Sequence, residues 1–348
     1  MRKGSIRLVA AASVIALALT GCSSKKDDAA NTDKKFEIFT WWASGGEAAG
    51  LQGMIDVYKA QNPNTEFINA AVAGGAGVNA KAVLTSRLEA NDPPDSFQAH
   101  AGMELDGYVR TGKLEDLTSL YASEGWDKVF PADLIKTLTV DGKIYSVPVN
   151  IHRANVLWWN PATATKAGIT AAPTTLDEFF ADLEKFKKAG VTGLALAGKG
   201  DWASAQWQSD GLKLGTDYTY AAAPGTVGIY QWLSDSFTLP VGAPDRNAAI
   251  AWLKVCGSKE GQDAFNPKKG SIAVRTDSDL SLYDDYLKSA AADWSKDRLV
   301  GSTVHGVNGN NALMAAYNAA VGKYFSGGFK DNAGLAKDLA AAYEAGKA

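Results

Sequence analysis

The chain has 348 residues, of which 46% are hydrophobic and 21% are charged. This composition is typical of a globular protein long enough for two domains, and it excludes a disordered or fibrous protein. The formal net charge of −3 at pH 7 reflects no basic excess, so the composition does not indicate nucleic-acid binding.

The first 21 residues have the pattern of an export signal. Arg2, Lys3 and Arg7 precede the apolar run LVAAASVIALAL, which is too short to span a membrane. The next residues, LTGC, resemble the lipobox of bacterial lipoproteins, which implies that Cys22 becomes the lipid-modified N-terminus. A plain secretory signal followed by a chance cysteine is the alternative. Removal of residues 1–21 deletes three positive charges, which changes the formal balance to 32 − 38 = −6.

The polar residues 22–35 predict a flexible tether behind the signal. Only one other cysteine follows, Cys256, within the helical pattern AAIAWLKVCGS. With Cys22 used for lipid, no disulfide can form, and Cys256 is expected to be a small buried apolar residue.

After the tether, short apolar runs alternate with amphipathic helices. The run FEIF predicts a strand, and a helix with apolar residues at i, i+3, i+4 and i+7 follows it and stops at NPN: Leu51, Met54, Ile55 and Tyr58. TEFINAAV predicts a second strand and AKAVLTSRLEAND a second helix. In DPPDSFQAH, the two prolines favour an extended entry to a third strand that carries Phe97. This order predicts a mainly parallel sheet with helices on both faces and ligands at the carboxyl ends of its strands.

Two adjacent tryptophans, Trp41 and Trp42, stand where the first strand ends, in FTWWASGGE. Neighbouring strand residues point to opposite faces, so both rings cannot serve one side of a core. We expect at least one of them to contact a ligand. The other strand ends bring polar residues to the same edge of the sheet. Five further tryptophans are expected to be core residues: Trp158, Trp159, Trp232, Trp252 and Trp294.

The second half of the chain begins with TVDGKIYSVPV, which predicts a hairpin with an Asp-Gly turn. In TTLDEFFADLEKFKKAG, Thr175 and Glu178 form a capping box, and the helix is expected to bury the apolar stripe Leu176, Phe179, Leu183 and Phe186. VTGLALAG is predicted as the next strand. Strand and helix patterns then alternate as far as AIAWLKV, and the tail is strongly helical.

Several motifs in order resemble the sugar-binding lipoproteins of ATP-driven (ABC) importers. They are FTWWASGGE, NPNTEF, DPPDSFQAHAG, GKIYSVPVNIHRANVLWWN, GTDYTYAAAPGT, AIAWLKVCGSKEGQDAFNPKKGSI and DRLVGSTVHG. The branch that they most resemble is the glucose- and mannose-binding type of extracellular solute-binding protein family 1. The resemblance implies an α/β fold of two lobes that close on a sugar like a clamshell. It places the first lobe at 36–148 and 232–275, and the second at 149–231 and 276–348.

The chain departs from this family between VTGLALAG and GDWASAQWQSDGLKLGTDY. Family members carry further helices of the second lobe there, whereas this chain joins the two halves near Gly198 to Asp201. The second lobe is therefore expected to be shortened by an internal deletion.

A sugar presents apolar C–H faces and a rim of hydroxyls, so its site needs aromatic rings and polar side chains that accept and donate hydrogen bonds. The resemblance implies ten binding residues: Trp41, Trp42, Glu47, Gln98, His100, Asn150, His152, Asp201, Trp202 and His305. His152 and His305 have an alternative role as satisfied interior histidines. Asp235, in WLSDSF, lines the cleft or caps a turn.

The expected function is a receptor, lipid-anchored on the outer face of the bacterial cell membrane, that captures a sugar and delivers it to an ABC permease. A monomer without cofactor, metal or enzymatic activity is expected. Zinc is disfavoured because the three histidines lack a short paired spacing. Two alternatives stay open: a non-transporting sugar sensor or degenerate binding protein, and a surface glycosidase with Glu47 and Asp201 as its two acids.

Overall fold

The computed structural model describes residues 34–74, 77–194, 213–329 and 331–345, and Lys34–Ala348 groups as one compact unit. The predicted signal, the lipidation site Cys22, the predicted junction near Gly198 and the predicted site residues Asp201 and Trp202 lie outside the described residues.

Twelve strands lie in the described ranges. In chain order they are β1 Lys34–Thr40, β2 Thr65–Ala71, β3 Ser96–His100, β4 Thr139–Val140, β5 Lys143–Ile144, β6 Ser146–Pro148, β7 His152–Arg153, β8 Val156–Trp159, β9 Thr219–Ala222, β10 Ile229–Leu233, β11 Asp235–Thr238 and β12 Arg298–Gly301.

The described α-helices, in the same order, are α1 Gly45–Gln61, α2 Val78–Glu89, α3 Asp106–Arg110, α4 Thr118–Glu124, α5 Ala132–Thr137, α6 Pro161–Lys166, α7 Leu176–Lys188, α8 Arg246–Gly257, α9 Lys259–Lys269, α10 Asp285–Lys296, α11 Asn311–Phe325 and α12 Asn332–Ala345. Short 3₁₀ turns cover Met103–Leu105, Trp126–Lys128 and Leu280–Leu282.

The larger sheet has five strands in the order β2-β1-β3-β11-β6. Strands β2 and β3 run parallel to β1, as the alternation of strands and helices predicts. Strand β11 is the exception, because it runs antiparallel to both β3 and β6. Its first residue therefore lies at the edge where the parallel strands end.

A smaller sheet has the order β12-β10-β7 and takes its strands from the second half of the chain and the residues just after β6. Two segments join the sheets. One continues from β10 through Ser234 into β11, and the other from β6 through residues 149–151 into β7. Backbone bonds hold the two segments together, including Val149 N–H to the Asp235 carbonyl at 2.9 Å and Ala154 N–H to the Gln231 carbonyl at 2.7 Å.

The core beside the larger sheet is rich in aromatic rings. Trp252 contacts Phe36, Tyr58, Phe67 and Phe237 at ring-centroid separations between 5.2 and 6.2 Å. Helix α1 lies close enough to α9 that a Cβ on Gly53 would stand 2.5 Å from the Ala264 carbonyl oxygen, so only glycine permits this approach. This close packing brings the end of α9 to the start of α1.

Several local predictions are confirmed. The apolar residues of α1, Leu51, Met54, Ile55 and Tyr58, are all buried, and Cys256 is fully buried. The turn between β4 and β5 places Asp141 and Gly142 at φ of 49° and 76°, which is the geometry of an Asp-Gly hairpin. The capping box of Thr175 and Glu178 begins α7 with both of its hydrogen bonds.

The prediction of a buried stripe on α7 is wrong, and the predicted strand that follows it lies only partly within the described residues. The apolar stripe is not buried as expected: Leu176 is 56% exposed, the neighbouring Phe180 is 59% exposed, and Phe179, Leu183 and Phe186 are half-buried. Residues 191–194 are not in a strand, and the rest of VTGLALAG lies outside the described part. The pattern of α7 is that of a core helix, but the described residues leave much of its apolar face uncovered.

Among the predicted core tryptophans, Trp252 is fully buried and Trp232 is 5% exposed. Trp158, Trp159 and Trp294 are half-buried. Trp158 contacts Tyr286 at a centroid separation of 4.8 Å, and Trp294 contacts both Tyr230 and Trp232.

Candidate functional site

The polar residues collect at the edge of the larger sheet where β1, β3 and β6 end. Trp41 follows β1, His100 ends β3, and Asn150 lies two residues after β6. Because β11 is antiparallel, its first residue, Asp235, pairs directly with His100. The site therefore consists of residues at the ends of β1, β3 and β6 and of the first residue of β11, which lies between β3 and β6.

Asp235 is the centre of this cluster and is 3% exposed. Its Oδ1 accepts from Gln98 Nε2 at 3.0 Å, and its Oδ2 accepts from Asn150 Nδ2 at 2.8 Å. Asn150 Oδ1 in turn accepts from the Asp235 backbone N–H at 2.7 Å. Both amide side chains are thus fixed in orientation by the carboxylate and the backbone beside it.

Two imidazoles approach the same carboxylate from different sheets. His100 Nε2, on β3, lies 3.9 Å from Asp235 Oδ1, and His152 Nε2, on β7, lies 3.9 Å from Asp235 Oδ2. These separations exceed a hydrogen bond, whereas a hydroxyl oxygen placed beside such a pair can contact both members. Each carboxylate oxygen keeps a second acceptor direction for such a hydroxyl.

The cluster holds Asp235 as an anion. Burial raises its pKa, but Lys269, His100 and His152 and the Asn150 hydrogen bond together bring the pKa below its usual range. The histidines behave in the opposite way, because burial lowers the pKa of His152 to about 3 and that of His305 to about 4. At neutral pH the site therefore presents an anionic acceptor between uncharged imidazoles at these two positions.

The adjacent tryptophans divide between the cleft and the core. Trp41 is 8% exposed, its ring lies 5.1 Å from that of His100, and Lys81 Nζ lies 5.7 Å from its centroid. Gly77 packs so closely against Trp41 that a Cβ on this glycine would stand 3.0 Å from the indole ring. Trp41 is thus the aromatic ring of the cluster.

Trp42 is fully buried. Its ring packs at 4.8 Å from that of Phe265 and 5.8 Å from that of Phe237. The structure places Trp42 in the core behind the cleft, so of the two predicted rings only Trp41 borders the polar cluster.

Glu47 occupies the first turn of α1 and pairs with Lys269, the last residue of α9, at 3.0 Å. Burial raises the pKa of Glu47, and the ion pair with Lys269 partly offsets this rise. Lys269 is 10% exposed and also lies 5.7 Å above the Trp42 ring. The ion pair adds a carboxylate and an ammonium to the border of the site.

The structure brings together seven of the ten predicted residues around Asp235 or on its border. They are Trp41, Glu47, Gln98, His100, Asn150, His152 and His305, the last with its ring 5.8 Å from that of His100. Trp42 is in the core, and Asp201 and Trp202 lie outside the described residues. Sequence reasoning left Asp235 undecided and missed Lys269, Lys81 and Glu104. Asp235 is the only acidic residue in WLSDSF, but its place at the start of an antiparallel strand could not be read from that stretch.

Two absences hold for the described part of the chain. No group of three or more His, Cys, Asp or Glu side chains there could hold a metal ion. No helix within those residues is both long and apolar enough to cross a membrane.

The family model of the bacterial extracellular solute-binding proteins matches residues 42–223, which is just over half of the chain. The match includes the ends of β3 and β6, but neither Trp41 nor Asp235. The chain belongs to the bacterial extracellular solute-binding protein family, whose members act outside the cytoplasm.

Two relatives illustrate the sequence similarity. The chain is 30% identical over 399 residues to a probable sugar-binding periplasmic protein of Mesorhizobium japonicum, covering 90% of this chain and 94% of the relative. It is 28% identical over 397 residues to an uncharacterized ABC transporter extracellular-binding protein of Pyrococcus horikoshii, covering 89% of each chain.

Among solved structures, the solute receptor AcbH, which has an exclusive preference for β-D-galactopyranose, matches with a TM-score of 0.73 at 14% identity. The match covers 90% of this chain and 99% of AcbH. At this identity the likeness shows the fold alone. The predicted two-lobed α/β clamshell of the sugar-binding proteins is confirmed.

The alignment lengths also bear on the size of the chain. The Mesorhizobium relative aligns over 399 positions, but 90% of this chain is only about 313 residues, so roughly 86 positions of the relative have no counterpart here. That these missing positions correspond to a deletion near Gly198 to Asp201 stays a prediction, as do the lobe boundaries.

Proposed function

We propose that this chain is a lipid-anchored receptor that captures a monosaccharide or small oligosaccharide and delivers it to an ABC permease. The observation that supports sugar binding best is the environment of Asp235. One buried carboxylate, oriented by Gln98 and Asn150, faces two imidazoles that each stand 3.9 Å from it. Such an arrangement can bond neighbouring hydroxyls of one ring.

Recognition of a sugar further requires a flat apolar contact. Trp41 supplies an indole beside His100, and the rim of the site adds Glu47 and Lys269. A polar group that loses water without gaining a hydroxyl costs about 1–3 kcal/mol, so this many fixed partners would discriminate between epimers. The resemblance noted above favours glucose or mannose over other sugars.

The cell-surface role rests on the N-terminal sequence. LTGC resembles a lipobox, and an anchored Cys22 would hold the receptor beside its permease with residues 22–35 as the tether. A ligand that bonds groups from both sheets favours the closed form, since it interacts more strongly with that state. The permease would then recognise the closed form.

A second candidate is a degenerate or sensing protein that no longer supports transport. The exposed face of α7 favours it, because Leu176 and Phe180 are more than half exposed and the Mesorhizobium relative has about 86 residues that this chain lacks. A sensing protein differs from the receptor in that sugar-dependent uptake does not require its gene, and a degenerate protein differs in that it has lost sugar binding. A surface glycosidase gains no support from Glu47, which is paired with Lys269.

Isothermal titration calorimetry with glucose, mannose, galactose and xylose tests the proposal. We expect saturable binding of at least one sugar. Trp41→Leu should weaken it at least fivefold, which is about 1 kcal/mol. Trp42→Leu is the matched control, because it removes the same ring from the core: it should lower the melting temperature while the remaining folded protein binds within about twofold of wild type.

Two results would contradict this proposal. One is a flat titration with every sugar by a chain whose circular dichroism shows a folded protein. The other is a greater loss of affinity from Trp42→Leu than from Trp41→Leu.

A further inference from the structure

Glu104 is a buried carboxylate next to the cleft that the proposed binding contacts do not include. It lies in the 3₁₀ turn Met103–Leu105, just after β3, and is 3% exposed. Its Oε1 accepts from the His100 backbone N–H at 3.2 Å, and its Oε2 contacts His100 Nδ1 at 2.7 Å and Lys81 Nζ at 2.6 Å. All of its described partners are thus protein groups that border the site.

The charge state of Glu104 determines which nitrogen of His100 carries a proton. Burial raises the pKa of Glu104, but His100 and Lys81 outweigh this and hold the pKa at about 2. An ionised carboxylate can only accept hydrogen bonds. His100 must therefore donate from Nδ1, which leaves Nε2 as the nitrogen that faces Asp235 at 3.9 Å. In the uncharged ring, Nε2 is then an acceptor.

Glu104 also reaches the second histidine of the cleft through its backbone. Its N–H donates to the Gly306 carbonyl at 2.9 Å, and the Met103 N–H donates to the Val307 carbonyl at 3.2 Å. Gly306 has φ of 72°, and a Cβ there would stand 2.8 Å from the Glu104 Cβ. The turn that carries His305 therefore packs directly against Glu104.

Lys81 connects the same carboxylate to the aromatic side of the site. Its ammonium bonds Glu104 at 2.6 Å and lies 5.7 Å from the Trp41 ring centroid. One carboxylate thus contacts an imidazole, an ammonium and the turn of a second imidazole, while Asp235 occupies the far side of His100.

We propose that Glu104 is a positioning residue for ligand recognition: it keeps the proton on His100 Nδ1 and directs Nε2 at the gap beside Asp235, without touching the ligand. This inference rests on the proposed sugar-binding function. A merely structural ion pair would fix the same His100 tautomer without affecting the ligand, so a coupled change of tautomer and sugar affinity distinguishes the two roles.

The test combines sugar titration with histidine NMR on the mature chain labelled with ¹⁵N-histidine. Three histidines give three sets of imidazole signals, and His152→Gln and His305→Gln assign them by loss. At pH 8, wild type should show a proton on His100 Nδ1. Glu104→Gln keeps the side-chain shape but replaces one acceptor oxygen with a donor, so it should shift His100 toward the Nε2-protonated tautomer and weaken sugar binding at least tenfold.

Glu37→Gln is the matched control. It removes a carboxylate that also pairs with a basic side chain, Arg87, with a second bond of 3.1 Å, but that contacts no cleft histidine. It should leave both the tautomer and the affinity within twofold of wild type.

Two findings would overturn the proposal. One is a wild-type His100 whose Nδ1 carries no proton, which needs no variant and therefore decides the matter even if Glu104→Gln fails to fold. The other is a folded Glu104→Gln protein that binds as wild type does, or that loses affinity while the His100 signals stay unchanged. A wild type that binds no sugar overturns the proposed function instead, and the tautomer measurement separates that case.

Discussion

Replacement of Asp235 by asparagine should reduce both the sugar affinity and the free energy of unfolding. Asp235 accepts from two amide donors, Gln98 at 3.0 Å and Asn150 at 2.8 Å. An asparagine has one acceptor oxygen, so its own NH₂ would face one of these donors. Asn150 cannot reverse its amide without losing the bond from the Asp235 backbone.

The magnitude follows from this count. A hydrogen bond to a charged group contributes about 1.5–3 kcal/mol, and one such bond is lost within the protein. A sugar hydroxyl that donates to the carboxylate loses an acceptor of the same kind. The affinity should therefore fall by roughly 10- to 150-fold.

Asp95 offers a matched control within the same sheet. It is also 3% exposed and accepts two backbone bonds, from Glu37 at 2.8 Å and from Asp245. It immediately precedes β3, roughly 16 Å along the strand from His100. Asp95→Asn should cost comparable stability but leave the affinity within about twofold.

Calorimetric titration of both variants, together with urea unfolding, measures the two quantities separately. Equal loss of affinity in the two variants would show that the effect comes from general destabilisation. Wild-type affinity in Asp235→Asn would show that the carboxylate is not at the centre of the binding site.

Three further predictions concern other parts of the chain. The pKa of His152 is about 3 and that of His305 about 4 in the folded protein, against about 6.5 when unfolded, so the unfolded chain takes up more protons as pH falls below 6.5. Unfolding free energy should therefore fall between pH 7 and pH 5, by at most about 2 kcal/mol per histidine, and denaturation midpoints that stay level would contradict this. Cys22→Ala should move the protein from the membrane to the soluble fraction, and unchanged fractionation would count against the lipid anchor. Leu176→Ser with Phe180→Ser should lower the free energy of unfolding in urea by less than about 1 kcal/mol, because both side chains are mostly exposed, whereas a loss of several kcal/mol would mean that something covers them.

The sequence was sufficient to predict those helices and turns whose formation depends only on neighbouring residues. The spacing of Leu51, Met54, Ile55 and Tyr58 identified α1, and the Thr175–Glu178 capping box identified the start of α7. In these cases the pattern and its physical cause lie within one or two helical turns. Whether the apolar face of α7 is covered depends on distant residues, which explains why its burial was wrongly predicted.

The site shows the same division. The residues at the ends of parallel strands, such as His100, could be predicted because parallel strands end at one edge. Asp235 belongs to an antiparallel strand, and its place beside His100 depends on a pairing between residues 135 positions apart. Lys269 reaches Glu47 only because glycines in α1 let α9 approach closely. Such long-range packing leaves no signal in a short stretch of sequence.

The continuous segment from β10 to β11 has a consequence for what a binding constant measures. Leu233 pairs with His152 in the smaller sheet, and Asp235, two residues later, pairs with His100 in the larger one. Any change in twist between the sheets therefore alters the angle at which the two imidazoles meet the carboxylate. A ligand that bonds all three selects one twist, so its dissociation constant contains the free energy of deforming this ribbon as well as that of the contacts. Two sugars that bond the same three groups at different twists therefore differ in affinity through the energy of the backbone.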